Sequence, residues 1–234
     1  MYHDVGCEPE DRGTISADEL AAQWSWLVRR GYRNVSLDQV GRELAAGKLE
    51  GGRRFAITFD DGRAGVYRNA LPLLQSFGFT ATVYVVPGFL GQTRWFSYRR
   101  TPASWVTEEE GGLRLTYMSL EETRRWMAAG QSVGSHSMTH QHLTCLGDAE
   151  LEREIFDSAR RLESEFGVEC DHFAYPYGEY NRHVQGRVAA LHATAVTVEQ
   201  GPLRITSPLL ALPRVDPGRR CDEMILRFAR LGLL

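Results

Sequence analysis

The chain lacks most of the features that would send a reading toward a membrane, a nucleic acid or a disulfide scaffold. No apolar run approaches the roughly 20 residues that a membrane-spanning helix needs. Met1 is followed at once by Tyr2-His3-Asp4, so no signal peptide is visible. That pattern predicts a cytoplasmic protein, or an extracytoplasmic one if an upstream segment is missing. There is no excess of positive charge, the net charge being −3, so nothing points to nucleic acid or an anionic surface. Cysteine is sparse: Cys7, Cys145, Cys170 and Cys221 are scattered and form no CxxC pair. Reduced, mostly buried thiols are expected rather than a disulfide framework. Repeats, low-complexity tracts and linkers are absent too. What remains is an ordinary globular composition, 43% hydrophobic and 24% charged, in 234 residues. That is enough chain to bury a core without staples, and we read it as one domain over residues 1–234.

The periodicity alternates between strand and helix. Helices are expected over 17–30 (Ser16 as N-cap, Glu19 at the third position, Gly31 just beyond), 36–46, 64–77, 119–129, 148–166 and 181–191, and over Cys221–Arg230. Pro72 is a possible kink in the third. Strands are expected over 54–59, 79–86, 131–135, 172–175 and 193–198. Such alternation predicts a mostly parallel sheet with covering helices. Residues 90–117 fit neither period and read as a loop excursion that could shape a substrate groove, with Trp95, Tyr98 and Trp105 as sugar-stacking or simply packing aromatics.

The chemistry concentrates just past strand ends, where α/β barrels keep their sites. Asp60-Asp61-Gly62 follows the apolar run Phe55-Ala56-Ile57-Thr58-Phe59. A plain turn is one reading; the other is a metal or catalytic site, since adjacent buried carboxylates repel unless a cation compensates. His136 and His140 follow Gly134-Ser135, with His142 close behind, and their spacing would bring two imidazoles to one side of a helical turn. One Asp with two His can hold a divalent metal with positions left open for water. His3 by itself reads as a frayed terminus, and Arg214, in Leu212-Pro213-Arg214-Val215-Asp216, as a surface or ion-pairing residue.

Taken together, these motifs resemble the polysaccharide deacetylase family, also called the NodB-homology or carbohydrate esterase family 4 domain. Thr58-Phe59-Asp60-Asp61-Gly62 is similar to its first motif, Ser135-His136-Ser137-Met138-Thr139-His140 to its second, and Phe173-Ala174-Tyr175-Pro176-Tyr177-Gly178 to its third. The resemblance implies a distorted (β/α)7 TIM-like barrel. It implies Asp61, His136 and His140 as metal ligands, Asp60 as general base and the Tyr177 backbone N–H as an oxyanion donor. The metal is commonly zinc; cobalt, nickel or iron suit the same ligands. The implied substrate is an N-acetylated carbohydrate, cleaved to acetate and a free amine.

Two departures stand out. The family usually carries an Arg at the place of Ala174, and Arg214 is the candidate substitute. The late Leu-x-His motif that supplies the general acid is missing. Met1-Tyr2-His3-Asp4-Val5 instead resembles the N-terminal motif of a permuted branch that includes poly-N-acetylglucosamine deacetylases, which makes His3 the expected acid. Other readings remain open: a deacetylase of a small acetylated metabolite, an O-acetyl esterase, or a non-catalytic carbohydrate-binding relative. The sequence specifies no oligomeric state.

Overall fold

A computed structural model describes residues 1–6, 11, 13–97 and 104–234; Cys7 and Tyr98 therefore lie outside the described residues. The elements in chain order are β1 (Asp4–Val5), β2 (Thr14–Ile15), α1 (Ala17–Arg29), β3 (Arg33–Asn34), α2 (Leu37–Ala45), β4 (Arg54–Phe55), β5 (Ile57–Phe59), α3 (Leu71–Phe77) and β6 (Ala81–Val85). After these come β7 (Thr93–Ser97), β8 (Ser104–Val106), β9 (Leu113–Thr116), α4 (Leu120–Ala128), β10 (Ser132–Ser135), α5 (Asp148–Leu151) and α6 (Ser158–Phe166). The last are β11 (His172–Ala174), α7 (Arg182–Ala189), β12 (Thr194–Gln200), β13 (Leu212–Arg214) and α8 (Cys221–Arg230).

Six strands form one parallel sheet in the order β13-β12-β11-β10-β6-β5. Strands covered on both faces must be apolar throughout. Accordingly Ala81-Thr82-Val83-Tyr84-Val85 and Ile57-Thr58-Phe59 are wholly buried. The chain start supplies one more stave. Tyr2 bridges Phe59 in parallel, its N–H donating to Thr58 O at 2.9 Å while Asp60 N–H donates to Tyr2 O at 2.8 Å. The nitrogen of Met1 donates to Val215 O at 2.9 Å, just past β13, so the first two residues link the two edges of the sheet. This is the distorted seven-stave barrel that the resemblance implied.

Helices pack outside through amphipathic faces. In α1 the buried residues Leu20, Gln23, Trp24 and Leu27 recur at helical spacing. Its cap is as expected, with Ser16 accepting from Glu19 N–H at 3.2 Å. α4 starts on a complete capping box of Ser119 and Glu122. Among the described residues no helix is long and apolar enough to cross a membrane.

Several expectations need correction. The strand expected over 54–59 breaks at Ala56 into β4, which pairs with β3, and β5, which joins the main sheet. The short strands β1, β2, β3 and β13 carry too few residues to show a period. The excursion at 90–117 is not a loop: β7, β8 and β9 form a small antiparallel sheet in the order β8-β7-β9. Trp105 on it packs edge-on against Phe89 and Phe96, whereas Trp95 lies on the opposite face of β7. The helices expected over 64–77 and 148–166 are continuous but each contains a widened turn, at Val66–Ala70 just before Pro72 and at Glu152–Asp157. Of the described cysteines, all free, Cys170 is buried, Cys221 half-buried and Cys145 exposed, so burial is less general than composition suggested.

Candidate metal and catalytic site

The first, second and third motifs follow β5, β10 and β11, so the parallel sheet delivers them to one end of the barrel. Their backbones are unusual. Among the described residues the only non-glycine positions with left-handed φ are Asp61 (69°), Ser137 (61°), His140 (57°) and Tyr177 (59°), and all four belong to these motifs. Each costs about 1–3 kcal/mol, so the surrounding bonds must impose it, and such strain gathers at functional sites.

The two imidazoles do converge, but not on a helical turn as their spacing suggested. Residues 136–142 are irregular, and left-handed steps at Ser137 and His140 fold the loop back on itself. Ser137 Oγ accepts from His140 N–H at 3.0 Å. The outer side of the loop is held by Glu154, which sequence reasoning missed. Its carboxylate accepts from Thr139 N–H at 2.8 Å, and its carbonyl accepts from Met138 N–H at 2.9 Å. The widened turn at Glu152–Asp157 contains that residue. The available signal was an acid beside Leu151 and Ile155 on the apolar face of the helix.

Asp61 Oδ1 lies 3.5 Å from Nε2 of His136 and 3.5 Å from Nε2 of His140. Three ligand atoms from these residues fall within 4.8 Å of one another. A tetrahedral ion with bonds of about 2.0–2.2 Å separates its ligands by about 3.3–3.6 Å, so both Asp61–His separations match a metal such as zinc. The tautomer fits as well. Nδ1–H of His136 donates to Ala174 O at 2.8 Å, which leaves the Nε2 lone pair facing Asp61. Burial and the neighbouring His136 push His140 down to about 4, so its imidazole is neutral at ordinary pH, the form that can bind a metal. Burial alone would raise the Asp61 carboxyl, but the charges of His140, His3 and His136 keep it low.

Asp60, 2% exposed, does not point into that ligand set. Arg214 grips it with two parallel hydrogen bonds of 2.7 Å, Nη1 to Oδ1 and Nη2 to Oδ2. Arg214 is fixed in turn by Thr197 O at 2.8 Å and Thr58 Oγ1 at 3.2 Å. Burial would push the Asp60 carboxyl up; Arg214 reverses this and holds it well below the usual carboxylate range. Ala174 is fully buried among Tyr84, Val196 and Leu212, leaving no guanidinium on β11; the one present comes from β13, two strands away.

His3 follows Tyr2, which pairs with Phe59, so it reaches the sheet end beside Asp60. The Tyr177 ring meets His140 edge-on at 4.6 Å and stacks flat on His142 at 3.9 Å. His142 Nδ1 is 2.9 Å from Glu179 Oε2, at the exposed rim.

Residues 48–196 match the polysaccharide deacetylase family model. The chain belongs to the polysaccharide deacetylase family. It is 24% identical over 221 residues to YxkH of Bacillus subtilis (strain 168), covering 93% of this chain and 71% of that one. It is 22% identical over 171 residues to the poly-beta-1,6-N-acetyl-D-glucosamine N-deacetylase of Staphylococcus aureus (strain MRSA252), covering 72% of this chain and 55% of that enzyme. Among solved structures, the Streptococcus pyogenes deacetylase PplD in complex with acetate superposes with a TM-score of 0.78 at 23% identity, over 97% of this chain and 95% of that one. That likeness shows the shared fold.

Proposed function

We propose that this chain is a metal-dependent hydrolase that removes the acetyl group from an N-acetylated sugar unit of a carbohydrate polymer. Membership of the family makes it a carbohydrate deacetylase. The observation that carries the finer reading is the placement of Asp61, His136 and His140 at metal-ligand spacing beside a separate, Arg-held carboxylate. Zinc is the metal this mixed nitrogen and oxygen set favours. When bound, it would polarise the acetyl carbonyl and make a nearby water more acidic.

The residues divide the remaining work. Asp60 stays ionised, and each of its oxygens keeps a lone pair beyond the Arg214 bond. It takes a proton from the attacking water as the water oxygen bonds to the carbonyl carbon. Arg214 fixes the direction of that lone pair. The Tyr177 N–H, on its left-handed turn, donates to the oxyanion. His3 gives a proton to the sugar nitrogen as the C–N bond breaks, because an amine does not depart as an anion. Acetate and a free amino sugar result.

The test is acetate release from N-acetylglucosamine oligomers and from monomeric acetyl sugars, with chelator and metal add-back. Release from oligomers that chelator abolishes and zinc restores is the expected result. Release from monomers or from O-acetyl sugars alone would replace this substrate with a small metabolite or an ester. A protein that binds the oligomers without cleaving them would be a carbohydrate-binding relative.

A further inference from the structure

Arg63 directly follows the Asp60-Asp61-Gly62 turn, yet its side chain is committed to the chain start. Nη2 lies 3.0 Å from Asp4 Oδ2 and 2.9 Å from Asp11 Oδ2. All three residues are buried, Arg63 at 5% exposure and Asp11 at 1%. Asp11 is further engaged: Oδ1 accepts from Gly13 N–H at 2.9 Å and Oδ2 from the Thr14 hydroxyl at 2.8 Å. Asp4 lies alongside Thr14 in the β1–β2 pair, and its N–H donates to Gly13 O at 3.2 Å.

His3 sits between two anchored neighbours. On one side Tyr2 is paired with Phe59, and its hydroxyl donates to Gln23 at 2.9 Å. On the other, Asp4 is held by Arg63. Two glycines leave room for this segment and no more. A Cβ at Gly13 would come within 3.3 Å of His3 Cβ, and one at Gly65 would collide with Asp4 Oδ1 and Val5 O. One guanidinium between two buried carboxylates is an expensive way to join segments, since apolar side chains of similar volume do it at lower desolvation cost. Both carboxylates converge on one guanidinium nitrogen, Nη2, which fixes where the two segments meet. The motif that carries Asp60 and Asp61 is thereby tied to the segment that carries His3.

We propose that Arg63, with Asp4 and Asp11, is a positioning cluster that sets where His3 stands relative to Asp60 and Asp61, and so governs proton delivery to the leaving amine. This rests on the deacetylase reading and on His3 as its acid. None of the three need touch substrate.

The test compares two leaving groups in the metal-loaded protein. An N-acetylglucosamine oligomer loses an amine that needs the proton. A nitrophenyl acetate loses a phenolate that does not. Asp11→Asn keeps volume and shape, and Arg63→Lys keeps the charge but puts it on a shorter arm, away from the point where both carboxylates meet Nη2. Both should lower kcat on the oligomer about 10-fold or more, with nitrophenyl acetate hydrolysis and oligomer KM changed less than about twofold. His3→Gln should show the same split, and adding Asp11→Asn to it should cost little more, because both act on one proton transfer. Metal content should match the wild type. A parallel fall on both substrates would overturn the proposal and leave a purely structural cluster. So would a multiplicative loss in the double variant. If the wild type cleaves nitrophenyl acetate yet releases nothing from any N-acetyl sugar, the deacetylase reading falls first and the acid role of His3 falls with it.

Discussion

Replacing Arg214 with Met tests the centre of the site, because it removes the charge while keeping most of the volume. Asp60 would then be a carboxylate at 2% exposure with its two 2.7 Å bonds gone. Breaking a buried pair from one side costs about 3–5 kcal/mol. For a chain of this length that lowers Tm by roughly 6–20 °C. The pH dependence is the sharper signature. In the wild type the Asp60 carboxyl is held below its unfolded value, so its contribution is present above about pH 4 and is lost as pH falls through the folded value. Without Arg214, burial dominates and lifts the carboxyl above its unfolded value. The stability it then contributes is present only at low pH and is lost as pH rises. The gap between the two proteins should therefore be smaller near pH 4 than at pH 7 and widen as pH rises. Urea denaturation at several pH values measures it, and acetate release should fall with it by about 10²–10⁴-fold. The companion Asp60→Leu/Arg214→Met should regain much of the stability and none of the activity, since it leaves no charge unpaired. A gap below about 1 kcal/mol at every pH would mean that the pair behaves as a solvated surface contact, and the reasoning would fail.

Other outcomes follow from the same geometry. Asp60→Asn should keep its metal and lose about 10²–10⁴-fold in turnover, whereas His136→Ala should lose both; metal analysis beside kinetics decides, and a fully active Asp60→Asn removes the base assignment. Glu154→Ala leaves the Thr139 N–H without its acceptor, so metal affinity should drop about 10–100-fold, read by competition with a chromophoric chelator. His192 is buried, with Nδ1 against Cys170 O and Nε2 without a partner among the described residues, and burial lowers it from 6.5 to about 4. The unfolded chain therefore binds the proton more readily, so stability should fall by roughly 3 kcal/mol as pH drops from 6.5 to 4. His192→Gln should flatten that part of the pH–stability curve, and an unchanged slope would place the effect elsewhere.

The parts of the site that were legible in the sequence are those that lie within one short segment after a buried strand. Asp60-Asp61-Gly62 and the His136–His140 pair could be seen because strand periodicity marks where the barrel end must be. The convergence of the two imidazoles was anticipated for the wrong reason. Spacing of four suggests a helix, but left-handed Ser137 and His140 do the work, and φ is not visible in residue identity outside glycine. Glu154 carries no signal in the sequence beyond an acid on a helix, because its carboxylate becomes a support only when the widened turn faces the loop. In the excursion at 90–117, strands β7–β9 went unseen because each has only three to five residues, too few to show a period, and their pairing is made between segments.

Residue order alone determined the alternating elements, the helix caps, the family and the candidate set Asp61, His136 and His140, because each depends on chemistry within a few positions. Only the tertiary structure decided what completes them. Arg214 meets Asp60 across 154 positions, and His3 reaches the same end because Tyr2 pairs with Phe59. Parallel strands bring distant segments to one edge, and partners that distant leave no periodic trace in the sequence.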